Sequence, residues 1–295
     1  MKLRTAFAIA LVGSALAIVA APPSGAQFPG RIGRLVSTAN GLTTYAKDGS
    51  HPKTLNLGPL LAGQDTEYPS YTPSGTAIVF DATTPAGDNE IFRVAAGGGT
   101  ATQLTHNTTL DWGPQQGPDL IVFVCHRGPD DEICTMRKDG SGLRRLTRNG
   151  ADEWNPKWTP NGSRIVFSSD RHGSHDIYSM KPDGTGVRRL TDGPAGEFEP
   201  DVSPDGRRIV FWSDATNPGQ LVVTNMDGTH RNVLKVDTPY PDDPRTPVWS
   251  PNGKRIAFGV ADQIWTREPN DDTGAIHAVV SSGSSDNIGW QPLHR

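Results

Sequence analysis

One short stretch recurs along this 295-residue chain in a single register, and its spacing constrains the fold more than any other feature. The clearest copies are PKWTPNGSRIVF (156–167), PDVSPDGRRIVF (200–211) and PVWSPNGKRIAF (247–258). PSYTPSGTAIVF (69–80) keeps the frame, and a decayed copy runs from Pro114 to Phe123. The closing residues Phe80, Phe123, Phe167, Phe211 and Phe258 are 43, 44, 44 and 47 residues apart. A period in this range is that of a four-stranded unit repeated radially. With 33 Gly and 25 Pro the chain has turn formers to match, and the reading is all-β.

Each copy has a mechanical meaning. In WTPNG the hydroxyl, Pro, Asn and Gly occupy successive turn positions that want an acceptor, a fixed φ, a turn former and a positive φ. That turn joins a first strand to a β-branched second strand such as RIVF. A polar loop, a third strand such as DIYSM, and an Asp-Gly turn follow, as at Asp48-Gly49, Asp139-Gly140, Asp183-Gly184 and Asp227-Gly228. The fourth strand is expected to end in Leu-Thr, at 104–105, 146–147 and 190–191, with Arg144-Arg145 and Arg188-Arg189 guarding an outer edge.

The ends of the chain complete one further unit. Arg34–Ser37 matches a second strand, Thr43–Ser50 a third with its turn, and Thr54–Leu57 a fourth. The missing first strand is found in Asn287–Pro292, where Trp290 aligns with Trp158 and Trp249. The expectation is a six-bladed β-propeller, one blade being closed by strands from both termini. Trp158, Trp249, Trp290 and Tyr71 read as blade-packing residues.

Residues 1–26 read as a signal peptide. Lys2 and Arg4 form a positive start, 6–21 an apolar run that stops at Pro22-Pro23, and Ser24-Gly25-Ala26 offers a cleavage site before Gln27. A membrane anchor is the alternative, and the run is short for one. Residues 27–295 are then the propeller, exported to the periplasm or secreted, a monomer with no membrane insertion of the mature chain. Loss of Lys2 and Arg4 takes the net charge from −4 to about −6, which disfavours nucleic acid as a partner. Cys125 and Cys134 flank a hairpin turn near Gly128-Pro129. A disulfide suits an oxidising compartment, but sequence spacing does not set the distance between the two Cα atoms, so free thiols stay open.

The string W-[ST]-P-[DN]-G-x-x-I-[AV]-F, followed by D-I-Y-x-M-x-x-D-G and a later L-T, resembles the WD-like repeat of TolB propellers over about residues 32–295. The same repeat is found in propellers of prolyl-oligopeptidase-type and tricorn-like proteases. Two departures restrict what the resemblance implies. The resemblance to TolB itself implies an α/β domain ahead of the propeller, whereas about six residues here separate Gln27 from the first strand. The peptidases need a G-x-S-x-G nucleophile elbow, and none occurs.

Catalytic and metal patterns are sparse. His172, His175 and Asp176 read as a hairpin loop, and Asp130, Asp131 and Glu132 near His126 as a solvated turn. One constellation stands out: an acid, usually followed by an aromatic, just ahead of each first strand. These are Glu67-Tyr68, Asp111-Trp112, Glu153-Trp154 and Glu197-Phe198, then Asp243 and Asp286. By the repeat geometry they ring one mouth of the central channel. In one reading the carboxylates attract a cation, with Ca²⁺ as the candidate, or a basic or amino-terminal part of a partner. In the other they serve turns, with the aromatics packed between blades; no cofactor is then called for.

The leading expectation is a non-enzymatic binding or scaffold propeller that engages an envelope protein or peptide at one face. The alternatives are a carbohydrate-active lyase or hydrolase, and a detached propeller partner of a serine peptidase. Fold alone does not choose among them.

Overall fold

A computed structural model describes residues 34–38, 41–46, 48–237, 239–240, 242–270, 273, 275–280 and 288–291. The segment 1–26, Asp286, Asn287 and Pro292 lie outside the described residues.

Six four-stranded antiparallel sheets form the six blades of a propeller. The innermost strands are Thr66–Tyr71, Asp111–Gln116, Glu153–Trp158, Glu197–Val202 and Arg245–Trp249 in blades 1 to 5, and Gly289–Trp290 in the closing blade. The second strands contain the five repeat phenylalanines, all fully buried. Fourth strands are short: Thr102–Gln103, Arg144–Arg145 and Arg188–Arg189 in blades 1 to 3. In the closing blade the fourth strand is Lys53–Thr54, one residue before the expected Thr54–Leu57.

Closure is as the repeat phase requires. Leu35 pairs with Trp290 and Val36 with Gly289, and the Gln291 amide donates to the Arg34 carbonyl. Apolar clusters lie between blades: Val122, Val124 and Ile133 of blade 2 pack on Trp158, Phe167 and Tyr178 of blade 3. Truncating such a Phe or Trp costs about 3–5 kcal/mol.

Two repeat signatures have physical explanations that join neighbouring strands and blades. The Leu-Thr pair follows the fourth strand rather than ending it, and its hydroxyl continues the ladder. Thr105, Thr147 and Thr191 accept the third-strand amides of Ile91, Ile133 and Ile177 at 2.8–2.9 Å. The glycine of the Asp-Gly turn is pressed against the blade before it. A Cβ on Gly228 (φ +83°) would lie 1.8 Å from the Leu190 carbonyl oxygen, and one on Gly140 2.3 Å from that of Leu104. Only glycine satisfies both the positive φ and the approach.

Cys125 and Cys134 form a disulfide with Cα atoms 5.8 Å apart. They sit diagonally across adjacent strands of blade 2, since Cys125 faces Glu132 and Cys134 faces Phe123.

Candidate functional site

The repeat proline organises the channel wall. Register shifts in the first strand at Glu67/Ser70, Trp112/Gln115, Trp154/Lys157, Phe198/Asp201 and Arg245/Val248, always around Pro69, Pro114, Pro156, Pro200 or Pro247. Proline has no N–H for the ladder, so a bulge is the natural place for it. The residue before each proline has positive φ: Tyr68, Gly113, Asn155, Glu199 and Thr246. Each bulge therefore assigns the residues around it to fixed levels of the channel, from one mouth to the other.

At the first mouth lies a cavity of about 820 Å³. Tyr68, Trp112, Trp154 and Phe198 all line it, joined by Trp212. Their rings form two runs. Tyr68 and Trp112 have centroids 5.3 Å apart. His175 is wedged between Trp154 at 4.4 Å and Phe198 at 4.7 Å, and Phe198 continues to Trp212 at 5.2 Å. The Arg245 guanidinium caps that run 3.5 Å above the Trp212 ring, close enough for a cation–π contact.

The acids take different places. Asp111, Glu153 and Glu197 are buried behind the aromatics as the first residues of the innermost strands. Asp111 meets Arg127 at 3.0 Å and Glu153 meets Arg171 at 2.8 Å, while Glu197 pairs with Arg231. Burial, outweighing the arginine, pushes the Asp111 carboxyl up. Burial also raises Glu153, helped by its neighbour Glu132. Asp243 pairs with Arg245 at 2.9 Å and accepts the Gly219 amide. Glu67 is exposed and stands outside the cavity lining.

Negative charge at the cavity comes instead from Asp131, Asp152, Glu199 and Asp214. A backbone amide holds three of them in place: Asp131 N–H on Asp152, Gly196 N–H on Asp214, and Thr246 N–H on Glu199. Asp131 accepts the Trp154 indole N–H at 3.1 Å and contacts His126 Nδ1 at 2.9 Å. Asp131 is therefore a half-buried organiser of the mouth, and Glu132 a fully buried partner of Arg145; neither is part of a solvated turn. Asp176 is likewise buried, against Arg189 at 2.7 Å. Burial pushes the His175 imidazole down against the pull of Asp170, Asp152, Asp176 and Asp214, which favours its neutral, stacked form. Among the described residues no group of three or more His, Cys, Asp or Glu could hold a metal ion.

Blade 1 departs from the pattern. Its second strand places Asp81, fully buried, opposite Glu67. Asp81 accepts the Gly113 amide of blade 2 at 3.0 Å and the Asn89 side-chain amide at 3.3 Å. Burial, with Glu67 nearby, pushes its carboxyl up to about 8.

Residues 152–292 match the TolB beta propeller domain family model. The repeats within that segment are similar to those of TolB propellers. A stretch of 82 residues is 33% identical to an uncharacterized protein of Agrobacterium fabrum, covering 27% of this chain and 28% of that protein, so the chain spans under a third of this relative. Among solved structures the chain is similar to TolB from Acinetobacter baumannii, with TM-score 0.74, 22% identity, and 88% of this chain and 67% of that chain covered. A putative TolB from Agrobacterium tumefaciens aligns with TM-score 0.64 and 22% identity over 75% of this chain and 83% of that chain. At these identities the structural likeness speaks for the TolB-like fold. Among the described residues no helix is long and apolar enough to cross a membrane.

Proposed function

We propose that this TolB-like propeller is an exported, non-enzymatic binding protein of the cell envelope or secreted fraction. It engages a protein or peptide partner at the first mouth, as a monomer, and the partner presents a basic or amino-terminal segment. The observation that carries this reading is the 820 Å³ cavity, where half-buried aromatic faces alternate with Asp131, Asp152, Glu199 and Asp214. Aromatic faces with carboxylates around them suit an ammonium or guanidinium on an apolar stem. Export is supported by the charged and apolar pattern of residues 1–26 and by the Cys125–Cys134 disulfide, a bond favoured in oxidising compartments.

The test is affinity capture from envelope extract with residues 27–295 as bait, beside the double variant Trp154→Ala/Phe198→Ala and the double variant Asp152→Asn/Asp214→Asn. A partner held by the parent and lost by both variants is the expected result. Equal recovery by all three removes the first mouth from the reading.

One observation favours a second reading, a carbohydrate-active lyase or hydrolase. His126, oriented by Asp131 at 2.9 Å, lines the cavity beside aromatic platforms, an arrangement that suits a general base. Polysaccharide turnover by the purified protein, lost on His126→Asn, would favour it over the scaffold.

A further inference from the structure

The opposite end of the channel holds a second cavity, of about 440 Å³, framed by Tyr71, Trp158, Trp249 and Trp290. Lys157 lines it, and also lines the narrow waist of about 40 Å³ that leads toward the first mouth. The level occupied by Lys157 is shared by Ser70, Gln115, Asp201, Val248 and Gly289, and two of these side chains tie their blade to the next. Gln115 accepts the Trp158 amide of the next blade and Asp201 accepts the Trp249 amide. Lysine has no acceptor and cannot do this. Among the described residues no hydrogen bond or ion pair reaches its ammonium. Lys157 is half-buried between the two cavities that it lines. Burial pushes the amine down, opposed by Asp201 and Glu199, so a larger share is present as free amine than on a surface lysine. Asp201, on the same cavity, is pushed up by burial to about 6, where it can both give and take a proton near neutrality.

We propose that the second mouth is a binding site for small aldehydes or ketones with an apolar body, captured by Lys157 as an imine. The Nζ lone pair attacks the carbonyl carbon, and the C=O π electrons move onto oxygen. A proton from nitrogen reaches that oxygen through Asp201, giving a carbinolamine. Protonation of its hydroxyl by Asp201 and departure of water leave the C=N bond, which water can add to again to release the carbonyl compound. No oxidant or reductant is consumed. The aromatic frame holds the apolar body and excludes solvent, which lets the amine stay unprotonated. This site is independent of the partner-binding reading of the first mouth.

The test is reductive trapping of the full chain with benzaldehyde and cyanoborohydride at neutral pH, followed by peptide mapping. The exposed Lys53, Lys138, Lys181, Lys235 and Lys254 serve as internal references. Lys157 is expected to carry most of the label at limiting aldehyde. Its labelling rate should saturate with benzaldehyde concentration and slow in Asp201→Asn, which keeps an acceptor for the Trp249 amide. Lys157→Arg, checked for unchanged thermal unfolding, should lose the preferential label altogether. Labelling of Lys157 no faster than the five references overturns the proposal, and so does a rate linear in aldehyde throughout.

Discussion

Replacing Asp81 by Asn tests how blade 1 is held against blade 2. The Asp81 carboxyl is fully buried, accepts the Gly113 amide and faces Glu67, and it stays protonated up to about 8, whereas the unfolded chain ionises near 3.8. Between those values the native state holds a proton that the unfolded state has released. Stability therefore falls with rising pH, by about 1.4 kcal/mol per pH unit for a single group. The contribution is intact below about 4 and fully lost above about 8. At pH 7, roughly three units into that window, the penalty is on the order of 4 kcal/mol. Asn is neutral throughout and keeps an oxygen for the Gly113 amide. Asp81→Asn should therefore be more stable than the parent at pH 7 and nearly equal to it near pH 4. Urea unfolding followed by tryptophan fluorescence at pH 5, 6, 7 and 8 reads the difference. Because the other raised acids, among them Glu90, Asp111 and Asp176, are common to both proteins, they cancel in it. Parallel stability curves across this range would refute the assignment of a buried, protonated carboxyl.

Further outcomes follow from the joints of the repeat. Gly228→Ala should cost at least about 3 kcal/mol, because its methyl meets the Leu190 carbonyl and its φ is positive; a urea midpoint within error of the parent contradicts this. Thr147→Val leaves the Ile133 amide without its acceptor and should cost about 1–3 kcal/mol, while Thr147→Ser should recover most of the loss in the same unfolding assay. Reducing the Cys125–Cys134 bond, which joins residues 9 apart, should cost about 3 kcal/mol on chain-entropy grounds, read as a lower thermal midpoint in dithiothreitol.

The ring was legible because its signals are local. Pro156, Asn161 and Gly162 dictate a bulge and a turn within seven positions, and the same set recurs at Pro200 and Pro247. The aromatic part of the first mouth could be named for the same reason, since Trp154 and Phe198 keep a fixed distance from their prolines. Glu67 could not be placed by adjacency to an aromatic. Counted back from Pro69 it occupies the Trp112 and Trp154 position, and Thr66 the position of the buried acid. The environment of the acids was illegible because their partners are remote: Arg171 lies 18 residues after Glu153, and Arg231 lies 34 after Glu197. Glu199 and Asp214 carried a usable signal. One immediately precedes the repeat proline and the other follows the second strand, positions that face the same mouth. The Lys157 level could also have been read, since a lysine one residue after the repeat proline stands where two other blades place an acceptor, Gln115 and Asp201.

The joint between Arg34–Val36 and Gly289–Gln291 has a mechanical consequence. Leu35 lies beside Trp290, so the chain enters one strand and leaves its antiparallel neighbour at the same edge of the sheet. A pull applied through residues 34 and 291 would load the inter-strand bonds in sequence, like a zipper, instead of together in shear. Tension would open the ring at this joint while the hairpin-linked blades stay intact, so load carried through both ends would find its weakest point there.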